Sequence, residues 1–378
     1  MKSNFVNSLI FLSTVLIYTA PAAAQPGETR KQELPKNIIL MIGDGMGVAQ
    51  LTAGKYQKGE LILERFTTTG LITTHSENSF VTDSAAAGTA MATGEKTCNY
   101  RIAVDCDGKP IKTVLEWAEG AEMSTGLVVT SSVTDATPAA FAAHSENRFR
   151  QTEIADQIAD SGVDILFGGG WSYFIPKSEQ GSRRNDEKDL LVQLKEKMKV
   201  VRTQEEFKVL GNDMPAVALF ASNNMDEAKI RQLPLASLVR KALAILSKNE
   251  NGFFLMVEGS LIDRAGHDNN SSFLIEEVLD FDDAVKAAFD FAGKDGETLV
   301  VATSDHETGG FALHQGSVKD RSITESAFTS INHTASMVPL FAFGPGEEAF
   351  GGIHDNTLIG KTLINYVRKA PDKAGIKP

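Results

Sequence analysis

Three short runs in this chain are apolar almost from end to end, and each stops abruptly at acidic residues. Asn37–Ile42 (NIILMI) gives way to Gly43-Asp44-Gly45, Phe253–Val257 to Glu258, and Thr298–Thr303 to Ser304-Asp305-His306. A surface helix needs polar residues every few positions, and a strand with one wet face needs alternation. Runs without either pattern fit strands buried on both faces, as in a parallel sheet covered by helices. Gly70–Thr74, Gly126–Thr130, Val163–Phe167 and Val338–Phe343 extend the series. Helical periodicities separate them at Ile111–Ala121, Thr152–Asp160, Glu187–Lys199, Leu235–Lys248 and Phe273–Phe291. That alternation predicts an α/β three-layer sandwich, a central and mostly parallel sheet with helices on both faces. A single domain over residues 25–378 is expected, with a weakly patterned peripheral region around 171–234.

In open sheets of this kind, ligands bind beyond the carboxyl ends of the strands. Here those ends carry Asp44, Glu258 and Asp305-His306, with Asp263 and His267 shortly after Glu258. The run Leu127–Ser132 leads likewise into Thr134-Asp135-Ala136-Thr137. Carboxylates gathered at one sheet edge need counter-charge once desolvated, and a cluster of metal ions supplies it. Taken singly, each residue is as well explained by a helix cap or a turn. Ser84 precedes the small-residue helix AAAGTAMATG, which suits either an N-cap or a group placed where backbone N–H donors favour an anion. Over the whole chain, 37 Lys and Arg against 49 Asp and Glu give a net charge of −12. That balance disfavours nucleic acid as a partner, because phosphate backbones recruit basic residues.

The first residues read as a cleaved export signal. Lys2 precedes the apolar run Ser8–Ala20, and Ala22-Ala23-Ala24 offers a small-residue cleavage site, so residues 1–24 are assigned to a signal peptide. The run is shorter than the roughly 20 residues of a spanning helix, so no stable membrane anchor is expected. The protein is expected to be exported, to the periplasm or outside the cell. Cys98 and Cys106 are the two cysteines, and in an oxidising compartment they can close a small loop as a disulfide. Unrelated free thiols are the alternative.

Six stretches, in order, carry a family resemblance. They are NIILMIGDGMG, VTDSAAAGTAMATG, VTDATPAAFAAHSENR, MVEGSLIDRAGHDNN, TSDHETGG and NHTASMVPLFAFGPG. Together they resemble the bacterial alkaline phosphatases over roughly residues 37 to 346. The resemblance implies hydrolysis of small-molecule phosphomonoesters at alkaline pH through a phosphoserine on Ser84, with Arg148 gripping the phosphoryl group. It implies two Zn²⁺, one held by Asp263, His267 and His333 and the other by Asp44, Asp305 and His306. One Mg²⁺ would take Asp44, Thr137 and Glu258, an oxygen set suited to that ion. Asp135 and Arg264 match positions that vary in the family around the third metal. Arg264 departs from the Lys common there, and a pair with Asp135 could order water and phosphate.

No His base is evident beside Ser84 in the sequence, so metal coordination is the expected source of its activation. His144, four residues before Arg148, reads as a structural histidine, and His75, His314 and His354 match no ligand position. The resemblance leaves room for a homodimer without carrying over its contacts, because the segment around 310–332 is short for the crown-like insertion of longer relatives. Sulfatases need a different motif around the nucleophile, and related diesterases usually carry Thr there and lack the third-metal ligands. A non-catalytic phosphate or metal binder would show a missing catalytic residue, and none is missing.

Overall fold

The computed structural model describes residues 34–369, and the expected signal peptide lies outside them. Its strands, in chain order, are β1 (Asn37–Gly43), β2 (Thr68–Thr73), β3 (Ser124–Ser132), β4 (Ile165–Gly169), β5 (Lys199–Val201), β6 (Ala216–Leu219) and β7 (Phe253–Gly259). There follow β8 (Thr298–Thr303), β9 (Glu307–Thr308), β10 (Phe311–Ser317), β11 (Ser322–Phe328), β12 (His333–Thr334), β13 (Val338–Phe343) and β14 (Gly352–Asp355). Ten of them form one sheet in the order β14–β2–β13–β8–β1–β7–β3–β4–β6–β5. The three apolar runs are its centre, with β8, β1 and β7 adjacent, parallel and buried at every position.

The side-chain period of two explains why these runs cannot alternate apolar with polar. Ile38, Leu40 and Ile42 enter one core, whereas Ile39 and Met41 enter a second core on the opposite face. In β7, Phe254 and Met256 join the first core, and Phe253, Leu255 and Val257 the second. Helices Ser84–Thr93, Val114–Gly120 and Thr357–Lys369 cover the first face through residues such as Met91, Leu115 and Leu363. Helices Val48–Lys58, Leu235–Leu246 and Ser271–Asp295 cover the second through Leu51, Leu238 and Phe281. Each fully buried side chain of this size is worth roughly 1.5–3 kcal/mol, so the double-faced strands are the chief source of stability.

Three features refine or depart from the sequence expectation. The strand β13 runs antiparallel to both β8 and β2, a direction that a buried apolar run does not encode. The weakly patterned region around 171–234 is built into the periphery of the sheet. It adds β5 and β6 to one edge of the sheet, and Phe174 and Phe207 are buried in the two cores. Those strands are too short to show a period. The helix expected over Glu187–Lys199 is confined to Leu190–Lys195, and Lys199 opens β5 instead. The short segment after the site forms the antiparallel hairpin β10–β11, half-buried to exposed along most of its length.

One close approach ties the C-terminal helix to the helix that begins at Ser84. A methyl group on Gly360 would lie 2.2 Å from the backbone nitrogen of Gly94, the left-handed C-cap of Ser84–Thr93. We therefore expect Gly360→Ala to destabilise the protein by about 1–3 kcal/mol, as overpacking against backbone does. Urea unfolding followed by circular dichroism checks this, and an unchanged midpoint would show that the two helices can separate freely.

Candidate active site

Neighbouring strands deliver the acidic residues to one place. The order β8, β1, β7, β3 sets four parallel carboxyl ends side by side, and Asp305, Asp44, Glu258 and the helix start at Asp135–Thr137 lie at them. Gly45 permits the turn after β1: its φ is +73°, its N–H donates to Asp305 Oδ1 at 3.1 Å, and a side chain there would strike the Asp263 backbone. The short helix Leu261–His267 puts Asp263 and His267 one turn apart on the same face. A two-residue ribbon, β9 with β12, sets His333 opposite Thr308 and so beside His306.

In the first group, Asp263, His267 and His333 converge. Nδ1 of His267 is 2.6 Å from the Ile331 carbonyl, and Nδ1 of His333 is 3.0 Å from that of Thr82. A carbonyl can only accept, so each Nδ1 donates and each ring turns Nε2 inward. The two Nε2 atoms lie 3.2 Å apart, at 3.3 and 3.5 Å from the Asp263 carboxylate. Its hydrogen bond to the Asp263 carboxylate lifts His267 to about 9. Burial pushes Asp263 upward, but His267 and the neighbouring imidazoles outweigh it and hold the carboxyl below its usual range. Two imidazole nitrogens and a carboxylate oriented this way match the donor set of zinc.

The second group is deeper. His306 is fully buried, its Nδ1 facing the Thr308 hydroxyl at 3.2 Å and its ring stacked on His333 at 3.5 Å. The Thr308 hydroxyl donates to Asp263, so it accepts from His306 Nδ1 and leaves Nε2 bare. That nitrogen lies 3.1 Å from Asp305 Oδ2 and 3.6 Å from Asp44 Oδ1. Burial, with His333 alongside, keeps His306 well below its ordinary value and therefore neutral. Asp44 Oδ1 and Asp305 Oδ2 are buried and accept no hydrogen bond. Burial and the repulsion of Asp305, Asp263 and Glu258 raise Asp44, while burial and Asp263 push Asp305 up to about 6.

Beside it, Glu258 is buried and accepts from the hydroxyls of Ser131 at 3.2 Å and Ser260 at 2.5 Å. Burial, together with Asp135 and Asp305, still pushes it up to about 8. The buried Thr137 hydroxyl makes no hydrogen bond, although it lies near enough to favour the charged form of Glu258. Buried polar atoms are nearly always paired, so the orphaned oxygens on Asp44, Asp305 and Thr137 suit a cation site. The residues fit the expected ions on this ground.

Ser84 opens its helix, N-capped by Asp83, whose Oδ1 accepts from Ala86 N–H at 3.1 Å. Its Oγ is 3.2 Å from His306 Nε2, so an imidazole does face the hydroxyl, delivered from 222 positions away. Arg148 lies in a turn beyond the helix Ala136–Ala142, and its guanidinium reaches Asp83 Oδ2 at 3.1 Å and Asp135 Oδ1 at 3.2 Å. Burial works against its charge, and Asp135 and Asp83 more than offset that. Both anchoring carboxylates cap helices, so helix starts and the arginine are braced together.

The Asp135–Arg264 pair does not form. Arg264 is exposed and bonds Asp268 at 3.0 Å, its i+4 neighbour on the turn, while Asp135 is taken by Arg148. Cys98 and Cys106 are joined in a disulfide, Cα–Cα 5.2 Å. His144 serves structure, bridging Glu116 at 3.1 Å and the Ala103 carbonyl at 2.7 Å. His75 faces Asp355 at 3.8 Å and His354 the Gly351 carbonyl at 2.6 Å, both away from the cluster. Sequence reasoning passed over Asp83, Thr308 and Glu307. Buried Glu307 binds Gln50 at 2.6 Å, the Phe311 N–H at 3.1 Å and the Thr334 hydroxyl, fixing the ribbon that carries His333. Asp83 was recognisable as a capping residue, but the other two roles exist only once the strands are folded.

A family model described as alkaline phosphatase matches residues 35–322. The chain is 34% identical to alkaline phosphatase 4 of Bacillus subtilis, over 94% of this chain and 95% of that protein. A solved structure of alkaline phosphatase from the Antarctic bacterium TAB5 superposes with a TM-score of 0.82 at 39% identity, covering 89% of this chain and 99% of the other. A variant of that enzyme, with magnesium bound in its M3 site, gives 0.81 at the same identity and coverage.

The crowded carboxylates have a consequence for stability. Without metal, Glu258 (about 8) and Asp44 hold protons in the folded state that the unfolded chain releases, so stability falls as pH rises toward 8. The contribution of His267, raised to about 9, is complete below about pH 6.5 and also declines above it. His306, depressed by burial, has given its full contribution by about pH 6.5. Protein stripped with a chelator should therefore lose a few degrees of Tm between roughly pH 6.5 and 8, whereas zinc- and magnesium-loaded protein should not. Scanning calorimetry decides; a flat profile for the stripped protein would deny the repulsion.

Proposed function

The chain belongs to the alkaline phosphatase family of phosphomonoester hydrolases, and on that premise we propose that it works through a covalent phosphate on Ser84. The carrying observation is the convergence at Ser84: its hydroxyl sits at a helix start, 3.2 Å from His306, with the Arg148 guanidinium held nearby on Asp83. Asp263, His267 and His333 hold one Zn²⁺, and Asp44, Asp305 and His306 the second. Asp44, Thr137 and Glu258 hold Mg²⁺, a reading supported by their all-oxygen donors and by the magnesium named for the TAB5 variant. When bound, these cations supply Lewis-acid charge that favours the ionised Ser84 hydroxyl and stabilises developing charge on oxygen.

The protein's own groups do the remaining work. Arg148 presents two N–H groups to the phosphoryl oxygens, and Asp83 and Asp135 fix its plane. The helix Ser84–Thr93 begins at the nucleophile, and its N-terminus favours an anion there. Ser84 gives up its hydroxyl proton to solvent, Oγ attacks phosphorus as the ester P–O bond breaks, and the departing alkoxide takes a proton from solvent to leave as the alcohol. Water then cleaves the Ser84–phosphate bond, restoring the hydroxyl and releasing inorganic phosphate. Burial of Ser84 restricts this second attack to water admitted by the site.

The mature protein, residues 25–378 as one domain, acts after export. The Cys98–Cys106 disulfide supports an oxidising compartment, and no helix among the described residues is long and apolar enough to cross a membrane.

Replacing the nucleophile tests the core of this reading. Ser84→Ala should lower p-nitrophenyl phosphate turnover by at least about a thousandfold while zinc content by metal analysis stays unchanged. Acid-quenched wild-type enzyme should carry phosphate on the Ser84 peptide by mass spectrometry. Turnover that survives the substitution would remove Ser84 from the chemistry. Arg148→Ala should weaken inhibition by inorganic phosphate about 10- to 100-fold, the loss of a charge-assisted bidentate contact. An undiminished inhibition constant would place the phosphate elsewhere.

A further inference from the structure

A cavity of about 440 Å³ opens beside the arginine and has no part in the chemistry above; Asn78, Asn99, Tyr100, Arg101, Asn147 and Phe149 line it. It is joined to the clamp by main chain. Tyr100 N–H donates to Asp83 Oδ1 at 3.1 Å, the Tyr100 carbonyl accepts from Arg148 N–H at 2.8 Å, and Phe149 follows Arg148 directly. The two residues stand 54% and 70% exposed, with ring centroids 6.0 Å apart and planes tilted by 38°. Apolar rings of this size left open to water favour any flat partner that covers them.

The loop holds Tyr100 there against its own preference. Its φ is +72°, the left-handed region, which a bulky residue keeps only where surrounding contacts impose it. Those contacts are visible. The Cys98–Cys106 disulfide closes the loop, Asn99 accepts from Asp83 N–H at 3.2 Å and donates to the Val81 carbonyl at 3.1 Å, and Ile102 pairs with Ser145. The result is an aromatic platform fixed to the same carboxylate that anchors Arg148.

We propose that Tyr100 and Phe149 form a subsite for the alcohol part of the ester, selecting alcohols that carry a planar ring over compact aliphatic ones. The assignment rests on Ser84 and Arg148 holding the phosphoryl group. In-line displacement sends the leaving oxygen away from the attacking Ser84, and these rings are the exposed apolar surface tied by main chain to Asp83 and Arg148. Packing against one ring is worth a few-fold in affinity, and against two about an order of magnitude.

Phenylphosphonate and methylphosphonate share a head group and are not hydrolysed, so their affinity ratio isolates the ring. Isothermal titration of the zinc- and magnesium-loaded mature protein should show about a tenfold preference for the phenyl compound. Phe149→Ala should reduce that ratio about three- to fivefold and leave inorganic phosphate affinity unchanged. The double variant with Tyr100→Ala should bring it near unity, while Tyr100→Phe should retain it. A ratio unaffected in the double variant, or a parallel loss for both phosphonates and inorganic phosphate, would overturn the subsite. Absence of turnover in wild type with the ratio intact would instead sink the hydrolytic reading and leave the subsite standing.

Discussion

Four carboxylates, Asp44, Glu258, Asp263 and Asp305, meet in a space from which water is largely excluded, and everything around them is arranged to make that tolerable. Desolvating one charge costs several kcal/mol, and bringing like charges together adds to it. A flexible loop would relieve the crowding by splaying apart. These residues cannot, because three of them follow or end strands whose apolar side chains are locked into one of two cores. The continuous apolar runs are thus the mechanical condition for the acidic cluster, and the cluster is what makes the sheet edge a trap for cations. Folding and metal binding become linked, since an ion that binds the folded arrangement stabilises it by mass action.

The nucleophile and the arginine depend on the same economy of parts. Asp83 starts the Ser84 helix and also holds Arg148; Asp135 starts the next helix and holds the other side of the same guanidinium. Displacing either carboxylate would fray a helix start and free the arginine together. The disulfide-closed loop adds a third tie, since Asn99 and Tyr100 both bond Asp83. Positions of atoms that must cooperate over a few ångström are therefore set by local helix-start chemistry, which is stiff, and not by long side chains reaching across solvent.

How much of this could be read from the sequence depended on the range over which each interaction acts. Double-sided strands announce themselves in a few consecutive residues, and residues following a strand inherit its position, so Asp44, Glu258 and Asp305-His306 were legible at the sheet edge. The direction of β13 was not, because a buried run reads alike parallel or antiparallel, and β5 and β6 are too short to show any period. Arg264 was misjudged for a related reason. A matching family position suggested a distant partner, but a carboxylate one helical turn away competes at far lower cost in ordering. The approach of His306 to Ser84 was invisible because nothing local to either residue encodes it; it exists only where β8 and the Ser84 helix meet.

Net charge is the remaining apparent contradiction, a chain at −12 whose site is suited to a phosphate anion. The two statements concern different distances. Surface charges more than a Debye length away, about 8–10 Å in physiological salt, are screened and contribute little at Ser84. Within the site the relevant charges are the cluster carboxylates, the cations proposed for them and Arg148, and a bound divalent ion is the largest local charge wherever it sits. On the proposed occupancy the positive charge exceeds the four carboxylates even before Arg148 is counted. The acidic excess inside the molecule then attracts anions indirectly, by holding the cations that do.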